Sequence, residues 1–192
     1  METQTVSHEV VKALANFTST DQTRPALTKI HIENGRAVTA DGFVLGTAAV
    51  QTNGFTGDVT PAELLHIAKG IKRPETIHLE TDTEPPRAIV YGNGNREMTY
   101  GPLTIAHETF PDWRQIVPSP DETDIVIQLA PGLLEKLVKA AKTVDASTIH
   151  FRIKQEPKAK PIRFLITGAD RQQQLTGVVM PMAMPDPDWT LT

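Results

Sequence analysis

The sequence contains no cysteine. That absence excludes disulfides, thiolate nucleophiles and cysteine-ligated zinc or iron–sulfur centres, and it fits a reducing, cytoplasmic setting. Long apolar runs are missing too, since nothing approaches the ~20 residues of a membrane span. No membrane partner is therefore expected. The opening METQTVSHEVV lacks a basic start followed by an apolar stretch, so no signal peptide is expected either. None of the six histidines has the H-x-x-x-H or H-E-x-x-H spacing of a metal site. The acids are scattered, with no paired-carboxylate or nucleophile–base pattern. The expectation is a non-enzyme without cofactor or metal.

What is present is enough chain for a core: 192 residues suit one large domain or two small ones. The formal charge of -4 argues against a protein that coats nucleic acid all over, but allows one basic face. Hydrophobic spacing predicts three helices. Residues 7–18 carry Val10, Val11, Leu14 and Phe17 at helical spacing behind Ser7 as cap. Residues 60–73 start with Thr60 and Pro61, and Glu63 completes a capping-box pattern. Residues 131–144 form the most regular amphipathic stretch.

Alternating strand-like segments follow each helix, which makes the fold class α+β. The first strand after each helix repeats: KIHI at 29–32, TIHL at 76–79 and TIHF at 148–151. Their common place predicts three copies of one βαβββ-type unit, with helices on one face of antiparallel sheets. His31, His78 and His150 are read as outward-pointing strand positions. Asp41-Gly42 and Gly92-Asn93-Gly94-Asn95 read as hairpin turns, the latter without the Lys-Ser/Thr of a phosphate loop. Phe110 and Trp113 are expected to fasten a connecting segment to the core.

Four motifs stand in one order: T-R-P-A-L at 23–27, T-A-D-G-F-V-L at 39–45, F-P-D-W-R-Q-I-V-P at 110–118 and V-V-M-P-M at 178–182. Together they resemble the bacterial DNA polymerase III beta subunit, the sliding clamp. The resemblance implies a DNA-clamp-like fold, in which helices face encircled DNA and sheets form the outer wall. Residues 1–117 resemble one complete clamp domain of two units, and 118–192 resemble half of the next, with an acidic tail at 185–192. The tail carries Trp189 and Leu191, which could instead fill a pocket.

The resemblance also implies a groove for short peptides from DNA polymerase, the clamp loader and other client proteins. Arg24 and Leu27 match one wall, and Ala40, Asp41, Gly42 and Leu45 match the neighbouring turn. Pro61 and Leu65 match the contribution of the second helix, and Val178, Val179, Met180, Pro181 and Met182 match the floor. The family usually has His-Arg where this chain has Phe43 and Val44, and Arg-Leu where it has Ala183 and Met184. A more apolar pocket is expected. Methionines suit such a floor because they repack around different guests.

Lys136, Lys139 and Lys142 fall within a ~120° arc of the third helix, and Lys69 and Arg73 lie opposite the apolar side of the second. By themselves they read first as an ordinary solvated face, which is commoner than a DNA-binding one. With the resemblance they become candidate contacts to double-stranded DNA, independent of base sequence. No aromatic interleaves them, so base stacking is not implied. A lone half-domain at 118–192 leaves apolar surface uncovered, which predicts a homo-oligomer, a dimer first. Family rings hold twelve units, so four chains of three units match that count. The alternative to a ring is a peptide-binding adaptor or a decoy that competes for clamp clients.

Overall fold

The computed structural model describes residues 4–52, 54–117, 127–153, 161–169 and 174–182. Ala183, Met184 and the acidic tail 185–192 lie outside the described residues. The chain divides into two compact units, Met1–Arg114 and Gln115–Thr192.

In unit 1, β1 (Gln4–Ser7) leads into α1 (His8–Ala15), and a 3-10 helix (Pro25–Thr28) precedes β2 (Ile30–Glu33), β3 (Arg36–Ala40) and β4 (Leu45–Ala49). The pattern then repeats as β5 (Gly57–Val59), α2 (Pro61–Ala68), β6 (Pro74–Glu80), β7 (Arg87–Gly92), β8 (Glu97–Pro102) and β9 (Ile105–Ala106). Two antiparallel sheets result, ordered β1-β6-β7-β8 and β4-β3-β2-β5-β9. Each strand ahead of a helix thus joins the sheet of the other half. Thr5 stands opposite His78 in the first exchange, and Asp58 opposite His31 in the second.

Alternation sets the core. Along β7 every second residue is buried, and β2 and β6 bury Ile30, Ile32, Ile77 and Leu79. The apolar stripes of α1 and α2 meet over this layer through Val11, Leu14, Leu64 and Ala68. Each fully buried aliphatic side chain contributes about 1.5–3 kcal/mol.

Both helices are shorter than their periodicity predicts. Asn16 ends α1 by donating its side-chain amide to the carbonyls of Lys12 and Ala13, at 2.9 and 3.2 Å. The chain leaves α2 at Ala68 through tightened turns. There Gly70 lies so close that a Cβ would come within 2.6 Å of the Thr99 hydroxyl. The capping box does not form. Neither Ser7 nor Thr60 makes a side-chain cap bond. Glu63 instead accepts the Thr104 backbone N–H at 3.1 Å, tying α2 to the stretch after β8.

Unit 2 contains α3 (Pro131–Thr143), β10 (Ile149–Arg152), β11 (Ile162–Thr167) and β12 (Gln174–Val179), with sheet order β10-β11-β12. Its register places Phe151 opposite Phe164 and Ile162 opposite Val179. Leu137 of α3 packs on Ile162 and Val179, joined by Ile127, Leu129, Leu133, Ile149 and Phe164. The Met182 N–H donates to the Gln128 carbonyl at 2.8 Å, so the stretch before α3 lies beside the end of β12.

Candidate functional site

The β3–β4 turn is built on Asp41. Its carboxylate accepts the backbone N–H groups of Phe43 and Val44 at 2.7 and 2.8 Å, and its own N–H donates to the Val44 carbonyl at 3.2 Å. Those bonds to the charged form hold the Asp41 carboxyl below the usual aspartate value. Gly42 adopts φ 98°, a region that suits glycine. A Cβ there would also sit 2.9 Å from Arg24 Nη1, so the guanidinium lies against the bare backbone. The turn is thereby held from beneath while Phe43 projects outward, 97% exposed.

Among the sequence-predicted residues, the structure brings Arg24 to Gly42, with Asp41 and half-buried Leu45 flanking the turn. Leu27 lies lower, buried in the 3-10 helix that packs on β3. Pro61 is buried at the first position of α2, and half-buried Leu65 packs on the core of unit 1. The main packing partners of α2 are α1, β7 and β8.

In unit 2 the predicted floor divides by strand alternation. Val179 turns inward to the core, whereas Val178, Met180 and Met182 are exposed and Pro181 is half-buried. The β12 ladder stops there, because Pro181 has no N–H to donate. The result is a run of apolar side chains on the surface, with methionine flexibility at two of three exposed positions.

The lysines of α3 are exposed, as are Lys69 and Arg73. Lys139 is ion-paired to Glu135 across one helical turn, at 2.9 Å, which partly neutralises the centre of that stripe. Among the described residues, no group of three or more histidines and acids could hold a metal ion. Among the same residues no helix is long and apolar enough to cross a membrane.

Sequence reasoning missed a polar cluster built around one buried acid, Asp58. His31 is not solvent-facing. Its Nδ1 lies 2.8 Å from the buried carboxylate of Asp58, and its ring stacks on Phe110 at 4.8 Å. The other Asp58 oxygen accepts the Glu108 N–H at 2.6 Å. Lys29 adds an ion pair to Glu108 at 2.9 Å. Farther along, Trp113 is buried with the Arg114 guanidinium 4.6 Å over its ring. The segment after β9 is fastened by these contacts to the sheet that carries β3 and β4. Of the other strand histidines, His78 packs against Tyr91 and His150 is exposed. The one sequence signal for the cluster was an acid two residues before Thr60, too common to single out.

Comparison of the whole chain with solved structures finds sliding clamps. The DNA polymerase III beta subunit of Thermotoga maritima matches with a TM-score of 0.62 at 14% identity, over 94% of this chain and 50% of that one. The sliding clamp of Pseudomonas aeruginosa matches with 0.63 at 12% identity, over 94% and 51%. That of Caulobacter crescentus matches with 0.60 at 20% identity, over 93% and 50%. No protein-family model matches the chain, and no curated protein sequence does. Three helices laid on antiparallel sheets, in β-α-β-β-β order twice and α-β-β-β once among the described residues, give this chain the fold of the DNA polymerase III beta sliding clamps over about half of their length.

Proposed function

We propose that the chain is a clamp-like, non-enzymatic tether that associates with double-stranded DNA through its helix lysines and holds client proteins by short peptide motifs. The observation that carries this reading is the clamp fold over 94% of the chain. Two surface features support its finer parts. The exposed Val178, Met180 and Met182 offer an apolar seat for a leucine or aromatic side chain of a guest. The Asp41 turn presents Phe43 and the Arg24 guanidinium on a preformed backbone.

Loose contacts from mobile lysines suit binding that must not depend on sequence, because phosphates carry the affinity and bases contribute nothing. Lys136, Lys142, Lys69 and Arg73 are the stronger candidates, and the Glu135 pair makes Lys139 the weakest. DNA polymerase and a clamp loader are the client classes this reading implies.

The test is an anisotropy titration with a labelled peptide carrying a leucine and an aromatic residue in a clamp-client motif. The expected Kd is micromolar, about -8 kcal/mol. Met180→Asp or Val178→Asp raises it at least about tenfold, because each brings a charge to an apolar seat. Arg24→Ala acts in the same direction. Leu27→Asp is unsuitable, since a charge on that buried side chain disrupts unit 1 itself. Equal affinities for wild type, Met180→Asp and Val178→Asp overturn the assignment.

A further inference from the structure

The three helices begin at His8, Pro61 and Pro131, and equivalent positions have unequal fates. Three residues into each helix stand Val11, Leu64 and Leu134. The first two are 1% and 0% exposed, and the third is 41% exposed. Four residues later Ala68 is buried, whereas Val138 is exposed. The repeated strand shows the same break. Ile32 and Leu79 are 2% and 1% exposed, but their counterpart Phe151 is 41% exposed. With Ile127, Leu129, Ile153 and Ile162, Leu134 and Phe151 line an open apolar cavity of about 310 Å³.

Unit 1 shows what covers these positions. The helix face is covered by a second helix of the same kind, since α1 packs on α2. The strand edge is covered by the short strand that precedes the opposite helix. In β1 the residue three before the helix is Thr5, which stands opposite His78; in β5 it is Asp58, opposite His31. Each of these short strands is also bonded on its other side to the stretch that follows its own third strand. Thr5 exchanges backbone hydrogen bonds with Gln51 at 2.8 and 3.1 Å, and Asp58 pairs with Ala106.

In unit 2 the residue three before the helix is Gln128, and its carbonyl already accepts the Met182 N–H that follows β12. The stretch 127–130 therefore stands where β1 and β5 stand relative to their own halves. What differs is the acceptor. The edge of β10 away from β11 has no strand paired to it among the described residues.

We propose that two copies of this chain join through unit 2. The stretch 127–130 of each runs antiparallel along the open edge of β10 of the other, and the two α3 helices pack through Leu134 and Val138. The register follows from unit 1. Gln128 of one copy stands opposite His150 of its partner, and Ile127 opposite Phe151. The contact is isologous, so one interface closes a dimer and leaves unit 1 of each copy outside it. Lys136 and Lys139 lie away from the Leu134–Val138 side of the helix, and Lys142, one turn beyond Val138, flanks the contact at the helix end. The proposal rests on the clamp-like reading only for the purpose of the assembly. Its test uses neither DNA nor peptide, so either can fail without the other.

Light scattering of the full chain from about 5 to 200 µM is expected to give twice the 21.1 kDa of one copy. Leu134→Lys combined with Val138→Lys is expected to weaken the association about 100-fold. Circular dichroism should stay unchanged, since both side chains are already exposed in one copy. Phe43→Ser, in unit 1, leaves the mass as it was. Register is read by mixing a Gln128→Cys chain with a His150→Cys chain. Directly opposed residues of an antiparallel ladder are about 4.5–5.5 Å apart at Cα, within disulfide reach. Within one chain the same positions are out of disulfide reach, because His150 lies level with Leu165 and Thr176 whereas Gln128 sits beside Met182, six residues further along or about 20 Å at ~3.3 Å per residue. A disulfide-linked pair from the mixture, absent from either chain alone, is the expected result. A folded chain that stays monomeric at 200 µM overturns the proposal. A dimer that forms without the mixed disulfide, or that is unaffected by the lysine pair, overturns it equally.

Discussion

Unit 1 runs through β-α-β-β-β order twice, whereas the described residues of unit 2 run through α-β-β-β once. In unit 1 each half lends a strand to the other, and helix covers helix. In unit 2 the same residue positions stand open. The comparison teaches that the repeat is a structural module but not a self-sufficient core: its helix stripe and its leading strand edge each need a second module.

The largest expected difference between the units lies in those matched positions. Leu64→Ala should destabilise unit 1 by about 2–5 kcal/mol, the range for a buried leucine whose cavity cannot collapse. Leu134→Ala, measured in a Val138→Lys background that keeps the copies apart, should cost less than about 1 kcal/mol, because in one copy the side chain is already partly in water. Urea unfolding followed by circular dichroism gives both numbers. Equal costs would mean that α3 is covered as fully as α2.

Next comes the polar anchor of unit 1. Asp58→Ala leaves the Glu108 N–H and the His31 ring without their acceptor, and the expected cost is about 1–3 kcal/mol. Loosening of the segment after β9 should shift the emission of buried Trp113 to the red. Unaltered emission together with unaltered stability would show that the anchor is dispensable.

A smaller effect concerns the β3–β4 turn. The Asp41 carboxyl is held below its usual 3.8 by the Val44 and Phe43 N–H groups. A depressed folded value means that its contribution is present above about 3.8 and is lost as pH falls through the lower folded value. The amide resonances of Phe43 and Val44 should therefore titrate together with a midpoint below 3.8, and Asp41→Asn should abolish that titration. A midpoint at or above 3.8 would mean that the turn bonds do not favour the charged form.

The smallest effect separates neighbours on α3. For DNA association, removing one lysine that neutralises a phosphate should flatten the dependence of log K on log salt by about 0.9. Lys136→Ala should do so measurably, whereas Lys139→Ala should do so less, because Glu135 already holds that ammonium. Identical slopes for the two variants would show that the Glu135 pair breaks freely on DNA.

Much of the fold was legible because its signals are periodic. Three amphipathic stretches and the Ile-His-apolar repeat located the three helices and the strands that follow them. Asp41-Gly42 and Gly92-Asn93-Gly94-Asn95 marked hairpin turns, and the latter carries positive φ at Asn93, Gly94 and Asn95. The strands that precede the helices were not legible. QTVS and GDV are too short for alternation to show, and their pairing is with distant strands. Helix ends were misjudged where tertiary contacts override local pattern, as with Glu63, which turns from Thr60 to Thr104. At the candidate site, Asp41 and Gly42 could be placed because a tight turn demands them, whereas Arg24 came only with the resemblance. Val179 could not be separated from Val178 until the strand register was known, since one residue of phase decides which faces the core.

The buried Asp58 also fixes how much chain unit 1 needs in order to exist alone. Its second carboxylate oxygen is satisfied by the Glu108 backbone, and Phe110 and Trp113 complete the packing beyond it. A chain shortened to the end of β9 would keep every α-helix and strand of the unit yet leave the buried Asp58 carboxylate with His31 alone and one oxygen without its donor. The smallest autonomous piece therefore extends through Trp113, past the last strand. Its boundary is set by an aspartate 50 residues earlier in the chain than the backbone N–H it requires.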